Sequence, residues 1–236
     1  WVEVPYVDAP AGLAELAAGA RRVTLQNGAT MTFLPGLRDP AAKPFPDVMR
    51  GEETQIVGYG LAEDRTLVLP GTHSKWARIA QGRIAAFQTY ATGEIYALLT
   101  RHSFIARAAE PAPGSVPAWS AFDRAAEFAA SDEPTADALL SAVFSARSGI
   151  LAGALQPEEV GDYVSGLLIA SEFRQARAAG WLHPGEAIGI IGNSALTERY
   201  GRVAPLFGLT IKPGPEDAAT LGVQRIIGKL QLTEQE

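Results

Sequence analysis

The amino-acid sequence predicts an α/β protein built on a mixed sheet. Three observations point there. Strand patterns paired across short turns fill the N-terminal part of the chain, helical patterns dominate residues 119–186, and residues 187–230 read as strand, glycine turn, helix, strand and helix. Hairpins first and alternating strands and helices afterwards are the signature of helices layered on a mixed sheet.

Each element follows from local chemistry. Val23-Thr24-Leu25 and Met31-Thr32-Phe33-Leu34 flank Asn27-Gly28, a dipeptide suited to tight hairpin turns, so residues 23–34 form a hairpin. Pro35-Gly36-Leu37 ends its second strand, and a proline-rich loop covers residues 39–46. Residues 47–55 lead into Ile56-Val57-Gly58 as a loop opening a short helix. Glu52 and Glu53 stand in its first turn, where exposed N–H groups favour acidic side chains. Residues 66–69 make a strand, Pro70-Gly71-Thr72-His73-Ser74 a tight polar turn, and residues 75–80 and 84–90 two strands around Gln81-Gly82. A helix begins near Thr92-Gly93-Glu94, with Ile95, Leu98, Leu99 and Ile105 spaced as one apolar face.

Residues 110–119, crowded with proline and glycine, form a surface loop. Pro134 suits a first helical position, ahead of an amphipathic helix over residues 136–147. Pro157-Glu158-Glu159 opens another helix, which runs to about residue 179 and stops at Gly180. Ala187-Ile188-Gly189-Ile190-Ile191 is a buried strand, and Gly192-Asn193-Ser194 is a turn. Residues 195–207 form a helix that turns Leu196, Tyr200, Val203, Ala204 and Phe207 to the core and ends at Gly208. A strand at residues 210–212 and a helix over residues 215–230 close the chain.

Composition narrows the function. The 236 residues are 47% hydrophobic, ample for a buried core, and carry a formal net charge of -6. No Lys/Arg cluster supplies the basic footprint of a nucleic-acid binder. The absence of cysteine excludes disulfides and thiolate metal sites, which fits a reducing cytosol. His73, His102 and His183 lie far apart in sequence and lack helical ligand spacing, which argues against a zinc site. No apolar run approaches the roughly 18 residues of a membrane span, and no charged-then-apolar leader opens the chain. The chain starts at Trp1 in what reads as a strand, Trp1-Val2-Glu3-Val4, as though joined midway.

Three segments carry candidate chemistry. In the turn Leu69 to Lys75, small residues let the backbone approach a ligand, Thr72 and Ser74 offer hydroxyls, and Lys75 offers positive charge. Such a turn can hold nucleotide phosphates, or it can be an ordinary hairpin turn. Gly51-Glu52-Glu53 sets two carboxylates side by side, as a proton acceptor for phosphoryl transfer or as charge at a helix N-terminus. Gly192-Asn193-Ser194 reads as a slot for a nucleotide base or phosphate, as a serine-hydrolase elbow, or as a structural turn. The elbow is weakened by Leu196 where a glycine belongs, and no histidine follows Ser194.

The strings PDVMRGEETQ, LVLPGTHSKW, TGE at Thr92–Glu94 and IGNSALTERY resemble the signature segments of 2-keto-3-deoxygalactonate kinases, over essentially the whole chain. The chain is also similar to glycerol- and xylulose-type carbohydrate kinases, whose GDQQ segment, Gly-Thr-Gly hairpin and GGGA turn have counterparts here in the same order: GEETQ, PGTHS and IGNSAL. The tail PEDAATLGV, Pro215 to Val223, resembles their closing helix.

The resemblance implies a ribonuclease-H-like kinase fold of the actin/hexokinase type, with two lobes and a cleft for ATP and a sugar acid. It implies phosphorylation of 2-keto-3-deoxygalactonate at C6, with ATP and Mg2+, in a bacterial cytoplasm, by a protein that is often a homodimer. Kinases of this fold acting on other sugar acids, and a non-catalytic sugar- or nucleotide-binding protein, are the competing readings. Residues 1–60 would be the remainder of the N-terminal lobe and residues 61–236 the nucleotide-binding lobe. By resemblance Glu52 is the base with Glu53 its understudy, and Gly71, Thr72, Ser74 and Lys75 form the second phosphate-binding turn. Gly192, Asn193 and Ser194 would form the adenosine turn. The substrate's carboxylate calls for an arginine: Arg50 first, then Arg38 and Arg147. The family's first phosphate-binding hairpin has no counterpart here, so the first lobe is expected to be incomplete and the isolated chain to have little kinase activity.

Overall fold

The computed structural model describes residues 4–108 and 116–233. In chain order it begins with β1 (Val7–Asp8), α1 (Leu13–Ala18), the hairpin β2 (Arg21–Thr24) and β3 (Thr30–Phe33), then β4 (Leu37–Asp39) and β5 (Asp47–Met49). The next elements are α2 (Glu52–Tyr59), β6 (Arg65–Leu69), β7 (Ser74–Ala80), β8 (Arg83–Tyr90) and α3 (Thr92–His102). The helices α4 (Trp119–Ala130), α5 (Leu139–Leu151) and α6 (Val160–Ala178) follow. The chain finishes with β9 (Ala187–Ile190), α7 (Ser194–Val203), β10 (Thr210–Pro213) and α8 (Ala218–Thr233).

The centre is a five-stranded sheet in the order β10-β9-β6-β7-β8. β6, β7 and β8 form an antiparallel meander, while β9 runs parallel to β6 and β10 parallel to β9. The protein therefore has the expected α/β architecture with a ribonuclease-H-like mixed sheet and flanking helices. Strand alternation decides which side chain faces which layer. Val68, Trp76 and Ile190 point into one core with α4 and α6; Leu67, Leu69, Ala77 and Ile79 point into the other, with α1, α2 and α8.

Two helix pairs approach closely because glycine lies at the crossing. A Cβ on Gly58 of α2 would stand 1.7 Å from the Ala218 carbonyl oxygen, and one on Gly222 of α8 the same distance from the Thr54 carbonyl oxygen. A Cβ on Gly166 of α6 would stand 2.2 Å from the Phe122 carbonyl oxygen of α4.

Some expectations change. The proline-rich loop is flanked by β4 and β5, which join β1 in a three-stranded sheet: Leu37 pairs with Val7 on one side and Met49 on the other. These strands are too short for a periodic signal and exist through long-range pairing. The apolar spacing on α3 holds only in part: Leu99 packs against a core cluster that includes buried Ile105, just beyond the helix end, while Ile95 and Leu98 are exposed. Leu196 is half-buried at a cavity rather than in the core. Much of the expected surface loop over residues 110–119, and Trp1 to Glu3 of the expected opening strand, lie outside the described residues.

Candidate functional site

β6 and β9 are parallel neighbours, so the loops leaving their carboxyl ends emerge side by side, where open α/β sheets bind ligands. One loop is the turn from Pro70 to His73; the other is the corner at Gly192-Asn193-Ser194. They touch: a Cβ on Gly192 would lie 3.5 Å from Pro70 Cδ, and the Ile191 amide donates to the Val68 carbonyl at 3.0 Å. A cavity of about 140 Å³ lies between the turn and α7, the helix that follows the corner, lined by Gly71, Gly93 and Tyr96 on one side and by Leu196 and Tyr200 on the other.

The turn is clamped by the helix after β8. A Cβ on Gly93 would stand 2.3 Å from the Gly71 carbonyl oxygen, so only glycine allows this approach, and the Glu94 amide donates to the Thr72 carbonyl at 2.9 Å. His73 Nε2 lies 3.0 Å from Glu94 Oε2. Gly71 and Thr72 are exposed on the tip.

Where the turn enters β7, alternation sends consecutive residues to opposite faces, and each meets a glutamate. Ser74 is fully enclosed, and its hydroxyl donates to Glu172 Oε1 on α6 at 2.8 Å. Lys75 points the other way, with Nζ 3.4 Å from Glu52 Oε1 on α2 and 3.2 Å from the His73 carbonyl oxygen.

Gly51 precedes α2 with φ 110°, a left-handed conformation that glycine adopts without strain. Glu53 folds back so that the Gly51 amide donates to both carboxylate oxygens, at 2.9 and 2.7 Å. Burial pushes the Glu53 carboxyl up to about 7; the charge of Glu52 adds to the rise, while backbone hydrogen bonds, including that from Gly51, oppose it. Glu52 faces outward beside Lys75 and accepts from the Arg50 amide at 3.1 Å. The two adjacent carboxylates thus have different environments, one enclosed and one open to an incoming group.

At the corner, Asn193 Oδ1 accepts from the Leu196 amide at 2.9 Å, the N-cap geometry that starts α7. Asn193 and Ser194 are otherwise exposed. The three candidate arginines do not converge. Arg38 forms a bidentate pair with Asp8 at 2.6 and 2.9 Å. Arg50 donates to the Val4 carbonyl at 2.8 Å and stacks over Tyr6 at 4.4 Å from the ring centre. Arg147 borders an apolar hollow with Phe104, Leu140 and Phe144 on α5.

Glu172 is the site's residue that sequence reasoning missed. Its carboxylate receives Ser74, Trp76, Thr92 and Tyr200. The one available signal was an acidic residue inside the apolar run from Leu167 to Phe173. Burial raises its carboxyl, opposed by the hydrogen bonds from Thr92, Trp76, Ser74 and Tyr200.

Comparison with known proteins is decided by one match: the profile of the 2-keto-3-deoxy-galactonokinase family covers residues 1–226. The chain belongs to this family. A Rhizobium meliloti (strain 1021) protein provisionally assigned as a 2-dehydro-3-deoxygalactonokinase is 32% identical over 222 residues, which is 93% of this chain and 70% of that protein. The 2-dehydro-3-deoxygalactonokinase of Escherichia coli (strain K12) is 31% identical over 221 residues, again 93% and 70%. A crystal structure of a Sinorhizobium meliloti protein with the same provisional assignment superposes with a TM-score of 0.80 at 29% identity, covering 99% of this chain and 75% of that one. As a galactonokinase-family member the chain is a sugar-acid kinase, a transferase of carbohydrate metabolism with ATP as a substrate. Among the described residues, no helix is long and apolar enough to cross a membrane.

Proposed function

We propose that the protein transfers the γ-phosphoryl group of ATP to the C6 hydroxyl of 2-keto-3-deoxygalactonate, giving the 6-phosphate and ADP in galactonate breakdown. The observation that carries this reading is the adjacency of the Pro70–Lys75 turn to both the Gly192–Ser194 corner and Glu52. The exposed backbone of Gly71 and Thr72 faces the phosphates, and the corner holds the adenosine end. Gly192 supplies close approach there, with Asn193 and Ser194 in reach by side chain. Ser74 acts through the shape of the turn, since its hydroxyl already donates to Glu172.

Glu52 takes the proton as the C6 oxygen bonds to the γ-phosphorus and the bond to the bridging oxygen of ADP breaks. Lys75 holds that carboxylate and adds positive charge under the turn. Glu53, enclosed against Gly51, supports the helix start and is the reserve candidate for the base. Arg50, two residues before Glu52, is the first candidate to grip the substrate carboxylate, ahead of Arg38 and Arg147. Among the described residues no cluster of three or more acidic or histidine ligands forms a resident metal site. Bound together with the nucleotide, Mg2+ would supply charge neutralisation at the phosphates. A cytoplasmic reaction and a homodimeric assembly are what the resemblance implies. Residues 1–60 are read as belonging to the N-terminal lobe and residues 61–236 to the nucleotide-binding lobe.

The test is ADP release by the full-length protein with 2-keto-3-deoxygalactonate and a panel of related sugar acids. The reading requires the highest kcat/KM for the galactonate derivative. A higher value for another acid reassigns the substrate, and nucleotide binding without ADP release makes the protein a binding module.

A further inference from the structure

Glu172 lies in the middle of α6 and is 2% exposed. Ser74 Oγ and Trp76 Nε1 donate to Oε1 at 2.8 and 2.7 Å, and Thr92 Oγ1 donates to Oε2. The Tyr200 hydroxyl reaches the two oxygens at 3.1 and 3.0 Å and lies 3.3 Å from Ser74 Oγ. An ionised carboxylate only accepts hydrogen bonds and offers about four lone-pair positions, which these hydroxyl and indole donors fill.

The donors come from three elements around the proposed nucleotide groove. Ser74 closes the phosphate turn and Thr92 begins the helix that clamps it. Tyr200 belongs to α7, whose N-cap is Asn193. Thr92 and Tyr200 also line the cavity beside Gly71 and Leu196. Enclosing a carboxylate is costly unless its hydrogen bonds are satisfied, so an apolar residue would suit a mid-helix position better for stability alone. An apolar residue would leave Ser74, Trp76, Thr92 and Tyr200 without their shared acceptor. What the carboxylate supplies is register between the turn and the α7 corner.

We propose that Glu172 is a positioning residue for ATP: by gathering Ser74, Thr92 and Tyr200 it fixes the phosphate turn relative to the adenosine corner without touching the nucleotide. The inference rests on the kinase reading above. It predicts an effect on ATP rather than on the sugar acid, because the groups that receive the sugar acid, Glu52 and Arg50, lie on the α2 side of the sheet.

The experiment varies ATP and sugar acid separately in steady-state ADP release by full-length protein, alongside thermal unfolding. Glu172→Gln, which keeps one carbonyl acceptor, is expected to raise KM for ATP about tenfold, and Glu172→Ala about a hundredfold, since misplacement by roughly 1 Å costs about that much. KM for the sugar acid should stay within about twofold. Ser74→Ala and Thr92→Val each remove one donor and leave the carboxylate otherwise paired, so they give smaller shifts in the same direction even if Glu172→Ala does not fold. Ala146→Gly, which loosens α5 away from the turn, serves as the control for stability alone. Unchanged KM for ATP in folded Glu172→Gln and Ser74→Ala overturns the inference. So does an equal ATP effect in Ala146→Gly, or a parallel rise in both KM values. Wild-type protein that neither releases ADP nor binds a fluorescent ATP analogue removes the kinase reading and this inference together; normal wild-type turnover with unaffected variants removes only this one.

Discussion

Lys75 Nζ stands 3.4 Å from Glu52 Oε1, and the lysine is the more enclosed partner: its side chain is 5% exposed against 29% for the glutamate. The pair joins the start of β7 to the first turn of α2, the two segments that the proposed reaction must align. Its asymmetry in burial makes the consequences of breaking it asymmetric.

Glu52→Gln leaves an enclosed ammonium without its anion, and is expected to cost about 1–3 kcal/mol of stability. Loss of the base lowers kcat by about 10²–10⁴. Lys75→Met removes the more buried charge and leaves a carboxylate that water can reach, so stability changes by less than about 1 kcal/mol. Activity still falls, because the carboxylate is no longer held. Urea unfolding beside kcat measurements checks both. The reverse stability order would mean that the burial of Lys75 does not govern the pair.

Glu53 gives a pH signature. Its folded-state value, near 7, lies above the model-peptide value of 4.5. Between these values the unfolded chain is ionised while the folded protein keeps the proton, so this group's stabilisation is full at the acid end and is lost as pH rises through about 7. The shift corresponds to about 3 kcal/mol. Glu53→Gln should therefore lose the stability difference between pH 5 and pH 8 that wild type shows from this residue, while retaining most of its kcat. A parallel pH dependence of melting temperature in the two proteins would refute the assignment, and a collapse of kcat would move the base from Glu52 to Glu53.

Two glycines of α8 should respond oppositely to the same substitution. In a helix interior, Gly→Ala normally stabilises by about 0.5–1 kcal/mol. Gly228 has nothing within 4 Å of its would-be Cβ and should follow that rule. Gly222 would drive a methyl into the Thr54 carbonyl at 1.7 Å, forcing α8 off α2. Gly222→Ala is expected to destabilise by about 1–3 kcal/mol or more. Chemical denaturation of the two variants decides it; stabilisation of both would mean that the α2–α8 contact is looser than described.

The central meander was legible because its chemistry is local. Leu67 and Leu69 alternate with Val68 across the sheet, and Gln81-Gly82 adopts the positive φ values, 52° and 74°, that a tight connection needs. The turn at Gly71 and the corner at Gly192 were legible for a related reason: small residues follow apolar strands. The β1-β4-β5 sheet was not, since a pairing such as Val7 with Leu37 leaves no mark on three-residue segments. On α3 the apolar spacing matched a core face, yet only Leu99 packs against a core cluster, because the start of the helix lies at the cavity edge, where Thr92, Gly93 and Tyr96 are lining residues. Glu172 stayed hidden because Ser74, Thr92 and Tyr200, which explain it, are brought together only by the fold.

Asn193 separates helix capping from nucleotide contact. Its side chain holds the Leu196 amide at 2.9 Å, so Asn193→Ala should cost about 1 kcal/mol. Asn193→Asp keeps an acceptor at the same place and adds negative charge to a helix N-terminus, which favours stability by about 0.3–1 kcal/mol. The same charge repels an anionic ligand approaching the corner. Asn193→Asp should therefore be as stable as wild type or more so, yet show a raised KM for ATP that eases with added salt, as expected of a screened repulsion. A gain in stability with no change in KM for ATP would mean that the α7 end faces away from the nucleotide's charged portion, leaving Gly192 and Ser194 no part in holding it.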